Sequence, residues 1–144
     1  MIKKIGLLVG SLRKDSWNRK VALELTRLAP SSLQLQLTEI GKLPFYNSDL
    51  DDAKSAPESW TSFRSKITEM DALIFITPGG FGAFGANHIL RQSMVFLNVP
   101  MMQQPEMYLS HINTCFKEDG HVEEKLEKLL TAFLTAFEEW IHHF

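Results

Sequence analysis

The sequence predicts an α/β fold built on a parallel sheet. Three observations carry this: short, unbroken runs of aliphatic residues, longer stretches with apolar residues spaced by three and four, and regular alternation of the two along the chain. Unbroken apolar runs suit strands buried on both faces, as parallel strands are beneath crossover helices. With 144 residues the chain is long enough for one continuous core, so residues 1–144 are expected to form a single domain.

Ile5 to Val9 is the first such run and ends at Gly10, a strand buried on both faces. From Trp17 to Leu28 the apolar residues Val21, Leu25 and Leu28 recur at helical spacing, with Asp15 or Ser16 as N-cap and Pro30 as the stop. Leu33, Leu35 and Leu37 alternate with Gln34, Gln36 and Thr38, a half-buried strand that belongs at a sheet edge. Gly41 to Pro57 is a polar connection rich in Pro, Asn and Asp. Trp60, Phe63, Ile67 and Met70 give a short helix, and Ala72 to Ile76 is the most continuous β-former, expected as a central strand. After "TPGGFGAFGA" comes a helix over Ala86 to Leu97, and Met107 to Leu109 offers a last strand. Beyond the turn at Gly120 the strongest helix keeps its apolar spacing from Val122 to Ile141.

Hydrophobic residues at 44% and charged residues at 22% are ordinary for a globular chain. A net charge of -2 argues against a nucleic-acid surface. The one cysteine, Cys115, allows no internal disulfide, and no Cys/His cluster has zinc spacing. No apolar run approaches a membrane span and MIKKIGLLVG lacks a cleavage site, so a soluble, cytoplasmic protein with no membrane or nucleic-acid partner is expected.

Chemistry concentrates in "VGSLRKDSWN", Val9 to Asn18. In parallel sheets ligands sit outside the carboxyl ends of the strands, and a helix start offers free N–H groups and a positive dipole end to an anion. Ser11 and Ser16 add hydroxyls, Asn18 an amide, and Arg13 a guanidinium able to bind two phosphate oxygens. Neither G-x-G-x-x-G nor a Walker loop is present, and a terminal phosphomonoester suits this loop better than a pyrophosphate. The plainer alternative makes Ser16 a helix cap and Arg13 a solvated cation.

"KIGLLVGSLRKDSWNRKVALEL", "LPFYNSDLD", "MDALIFITP" and "PGGFGAFGANHILRQSMVFLNVPMMQQPEMYL" resemble, in order, segments of the NADPH-dependent FMN reductase family, flavodoxin-like enzymes that include quinone, chromate and azo-dye reductases. The resemblance implies a three-layer sandwich, FMN as cofactor and NADPH or NADH as co-substrate. It places Ser11, Arg13, Ser16 and Asn18 at the FMN phosphate with Trp17 beside them, and Thr77, Pro78, Gly79 and Gly80 at the isoalloxazine ring. No residue is assigned as catalytic acid or base and none as a metal ligand, because the flavin carries the chemistry. A small-molecule acceptor (quinone, azo dye or metal oxyanion) and a homo-oligomer, dimer or tetramer, are implied as well.

One departure stands out. In the family the Thr-Pro after the third strand continues into Glu-Tyr-Asn, a helix and a fourth strand before a Ser-Pro-Gly-Gly loop. Here Thr77-Pro78 runs straight into Gly79-Gly80. A loop–helix–strand unit of roughly 30 residues is missing, and with it the family's main backbone contact to the flavin ring. Removing one such unit keeps a right-handed crossover, so a four-stranded sheet of order 2-1-3-4 is expected, with apolar surface exposed where a helix is lost. Two functions follow: an NAD(P)H-dependent FMN oxidoreductase, or a shortened relative that binds flavin weakly and serves as an interaction module. An electron-carrier flavodoxin is disfavoured at a charge of only -2.

Of the remaining signals, His88 reads as helix surface, His142 and His143 as a frayed terminus, and Cys115 as an unactivated thiol. Asp49, Asp51 and Asp52 read as a solvated loop. Phe81 and Phe84 could line a ring pocket or an interface, and Met101-Met102 reads as core or subunit contact.

Overall fold

The structure is a computed structural model that describes every residue except Ala53, Gly80 and Phe81. Its core is a parallel sheet of three strands in the order β2-β1-β3, formed by Lys3–Val9 (β1), Leu33–Thr38 (β2) and Ala72–Ile76 (β3). The register pairs Lys3 with Leu33 and Leu8 with Thr38 on one side of β1, and Ile5 with Ala72 and Val9 with Ile76 on the other. Ile5 to Val9 are all buried, as their unbroken apolar character requires of the central strand.

Helix α1 (Trp17–Leu28) starts at Ser16, whose Oγ accepts the Arg19 amide at 3.3 Å. Its buried residues Val21, Ala22 and Leu25 face β1, and Leu126, Leu130, Leu134, Phe137 and Ile141 of α4 (Glu124–Ile141) complete the same core. The crossover from β2 to β3 runs opposite to that from β1 to β2. Its helix α2 (Glu58–Thr68) therefore lies on the other face of the sheet. Val122, predicted inside the last helix, precedes it instead. It is fully buried and bridges to Phe116 across the Gly120 turn.

The α/β class, the parallel sheet and the edge position of β2 agree with the sequence, but the fourth strand does not form. Met107 to Leu109 pairs with no strand; Met107 and Leu109 lie with β3 in the wall of one cavity. The neighbour it would need is the absent strand. The approach to it also carries Pro100 and Pro105, which have no N–H to give a ladder. Consequently β3, expected in the centre, is an edge strand, and Phe75 is 40% exposed.

Helix α3 (Phe84–Phe96) shows the second cost of the missing unit. Its sequence is amphipathic, yet it buries none of its residues, and Phe84, Ile89, Val95 and Phe96 are exposed. Contacts to the segment after it hold it, with the Phe84 and Tyr108 rings 5.4 Å apart. Arg91 pairs with Glu106 at 3.2 Å and donates to the Met102 carbonyl at 3.2 Å, and Asn87 donates to the Tyr108 hydroxyl at 3.1 Å.

On the opposite side a buried carboxylate fastens α1 to the turn before α4. Glu24 accepts from Arg27 at 2.8 Å and lies 3.2 Å from His121 Nδ1, while Arg27 also reaches Glu127 of α4 at 3.2 Å. Burial pushes the Glu24 carboxyl up, but the hydrogen bonds from Arg27 and His121 together outweigh it and hold the group below its ordinary 4.5. A carboxyl lowered by folding stabilises the protein above its unfolded value and loses that contribution as pH falls through the folded value. Glu24→Gln is therefore expected to flatten the decline in stability below pH 4.5, read from denaturant midpoints along a pH series. An acid limb identical to that of the parent would refute this role.

Candidate functional site

The carboxyl ends of β1 and β3 bring the two predicted loops together. A Cβ added to Gly10 would lie 2.6 Å from Thr77 Cγ2, so any larger residue there would have to displace the Thr77 side chain. The Gly10 amide donates to the Ile76 carbonyl at 2.9 Å, and the Asn18 side-chain amide reaches the same carbonyl at 3.3 Å. The start of α1 is thus tied to the end of β3. The loop from Gly10 to Asn18 and the segment from Thr77 to Gly79 line one rim of the sheet.

In the first loop the Arg13 amide donates to Ser11 Oγ at 3.5 Å. Lys14 and Asp15 form a turn, while the amides of Ser11, Leu12 and Trp17 meet no backbone carbonyl among the described residues. These donors stand free at the positive end of α1. Ser16 is buried and caps the helix; by accepting from Arg19 it keeps its own O–H to donate. Arg13 is exposed at the loop tip and Ser11 is half-buried. Trp17 is held between the Phe116 ring, 5.2 Å away, and the Lys20 ammonium, 4.0 Å from its centroid. Asn18 has one of its amide hydrogens engaged, leaving the other for a ligand.

On the ring side, Thr77, Pro78 and Gly79 are half-buried and border the large cavity or the turn beside it. Gly80, expected next to them, and Phe81 lie outside the described residues. The turn closes with the Gly82 amide donating to the Gly79 carbonyl at 2.9 Å, and Gly82 has φ +66°. Its Cα packs against Tyr108, where an added Cβ would lie 2.9 Å from the tyrosine Cβ.

Sequence reasoning missed a polar chain beside this turn. Tyr108 donates to Glu106, Asn87 donates to Tyr108, and Arg91 holds the other oxygen of Glu106. The Glu106 carboxylate, with some burial, holds the Tyr108 phenol above its usual value, so it remains a neutral donor. Its members lie on α3 and on the extended segment after it, too far apart in sequence for any spacing rule to join them.

The donor set fits FMN. Free amides, two hydroxyls and a guanidinium at one helix start suit a phosphate dianion, and the adjoining rim at Thr77 and Pro78 offers apolar surface to a planar ring.

A family model described as NADPH-dependent FMN reductase matches residues 3–82. A quinone reductase of Pseudomonas putida is 38% identical over 178 residues, covering 97% of this chain and 95% of that protein. A 2-hydroxy-1,4-benzoquinone reductase of Burkholderia is 29% identical, covering 98% and 97%. Among solved structures, the flavoenzyme NAD(P)H:(acceptor) oxidoreductase FerB of Paracoccus denitrificans superposes with a TM-score of 0.84 at 30% identity, covering 99% of this chain and 98% of that one. The Pseudomonas match spans 178 positions on a chain of 144 residues, so at least 34 of its positions have no counterpart here. That is the size of a loop–helix–strand unit.

Proposed function

The chain belongs to the NADPH-dependent FMN reductase family, and from that premise we propose that it reduces quinones with electrons from NAD(P)H, using FMN held at the rim between β1 and β3. The observation that supports this is the first loop, where the free amides of Ser11, Leu12 and Trp17 and the Ser16 hydroxyl lie at one helix start, with Arg13 exposed in the same loop. FMN held there would supply two-electron chemistry between the nicotinamide and the acceptor.

The protein's own part is to bind and to orient. Ser11, Arg13, Ser16 and Asn18 hold the phosphate, and the Asn18–Ile76 contact fixes their distance from the ring. Thr77, Pro78 and Gly79 support the ring from the end of β3, with Gly80 next in the chain. Among quinones, azo dyes and metal oxyanions, the names of the relatives favour quinones. The homo-oligomer implied by the family would cover the exposed apolar residues of α3 with a second copy.

A specific observation also supports the opposing reading, a shortened relative that binds flavin poorly: at least 34 positions are absent, and they adjoin the ring side if they lie after Pro78. Mixing the purified protein with FMN and desalting it decides between the two. The reductase reading expects a retained visible flavin band and quinone-dependent NAD(P)H oxidation. A colourless, inactive protein would overturn it.

A further inference from the structure

The absent unit leaves a cavity of about 520 Å³ along the free edge of β3. Its walls are β3 itself, Leu90 and Met94 of α3, and Phe133, Phe137 and Trp140 of α4. Its volume lies within the roughly 300–1,000 Å³ of small-molecule sites. Three features say what it would take. First, five of the chain's six methionines line it: Met70, Met94, Met101, Met102 and Met107, every one except Met1. Unbranched, polarisable thioethers make a wall that adapts to flexible apolar chains. Second, the charged groups in the wall are engaged: Arg91 with Glu106 at 3.2 Å, and Asp71 with the Lys3 ammonium at 3.9 Å and the Lys4 amide at 2.7 Å. Third, one end of the cavity is formed by Thr77 and Pro78, the rim at which the ring is placed, and from there it follows the five residues of β3 down to Asp71, about 16 Å at the rise of a strand.

We propose that this cavity binds the aliphatic or isoprenoid tail of a lipophilic ligand. On the reductase reading above, that ligand is the quinone acceptor, with its head at Thr77–Pro78 and its tail along β3. In turnover the quinone gains two electrons and one proton that leave NAD(P)H as hydride, plus a second proton from solvent, and departs as the hydroquinone. The tail only anchors it. Quinones without a tail then depend on the rim alone, whereas a tailed quinone exchanges water for the methionine-lined wall.

Two measurements on the full chain separate this from the reductase reading. In the first, without flavin, bromodecanol is titrated while tryptophan fluorescence is followed. Trp140 lines the cavity and Trp17 and Trp60 do not, so saturable quenching is expected from bromodecanol, none from bromoethanol, and most of it should vanish in Trp140→Phe. Met94→Glu, which sets a charge in the wall, should abolish it, and Met94→Leu should retain it. If Met94→Glu fails to fold, Trp140→Phe and the two alcohols still decide. In the second, with FMN and NADPH, a benzoquinone bearing a decyl tail is compared with the same ring bearing methyl. Transfer of each methylene from water is worth about fourfold, so kcat/KM for the decyl form should exceed that for the methyl form by at least a hundredfold.

Equal kcat/KM for the two quinones would overturn the tail site and leave the reductase standing. Quenching without turnover of either quinone would overturn the reductase and leave the site. Absence of saturable quenching would overturn the inference, and if that protein also sediments as a dimer, a second copy fills the slot instead.

Discussion

Arg13→Ala is expected to weaken FMN binding by on the order of tenfold to a hundredfold while leaving riboflavin binding nearly unchanged. A hydrogen bond to a charged group contributes about 1.5–3 kcal/mol, and a guanidinium meets a phosphate through two at once. Riboflavin has the same ring and no phosphate, so the ratio of the two affinities isolates the loop from the rim. Arg13 is exposed and contributes nothing to the core, which keeps folding out of the result. Flavin fluorescence titration gives both constants. Equal weakening of the two ligands would mean that Arg13 does not meet the phosphate.

The second large effect is on stability. Leu134→Ala should cost about 3–5 kcal/mol, the range for a leucine removed from a packed core. Leu134 is 1% exposed and sits in the core cluster between α4 and β1, away from the walls of the methionine-lined cavity. Its loss therefore opens a new void. Leu130, equally buried, already borders that cavity, and its truncation only enlarges existing space. Leu134→Ala should thus be the costlier of the two, read as a lower urea midpoint at unchanged slope. The reverse order would show that the cavity is collapsed in solution.

The sheet and its helices were legible because each is decided locally. Ile5 to Val9 can be nothing but a buried strand, and Ser16 with the spacing from Val21 to Leu28 sets α1 to the residue. The candidate phosphate loop could be proposed for the same reason: its donors follow one another along the chain. What sequence could not decide was pairing across the deletion. The expected fourth strand has the right residues, but a strand needs a neighbour, and no local pattern tells that Met107 to Leu109 has lost its own. The apolar surface expected to be exposed is found on α3, where Ile89 is apolar at helical spacing and still meets water. The Asn87–Tyr108–Glu106–Arg91 chain belongs with the lost pairing, created by a fold that had first to be in place.

A helix that buries none of its residues divides the molecule into unequal cooperative units. The sheet, α1 and α4 share one apolar core, against which Met102, Met107 and Leu109 also pack, and should open together, whereas α3 lies near the low end of the protein's local free energies. Exchange of amide hydrogens is expected to begin there, in the helix whose Leu90 and Met94 form part of the cavity wall. The wall that this helix supplies is then the one that opens first.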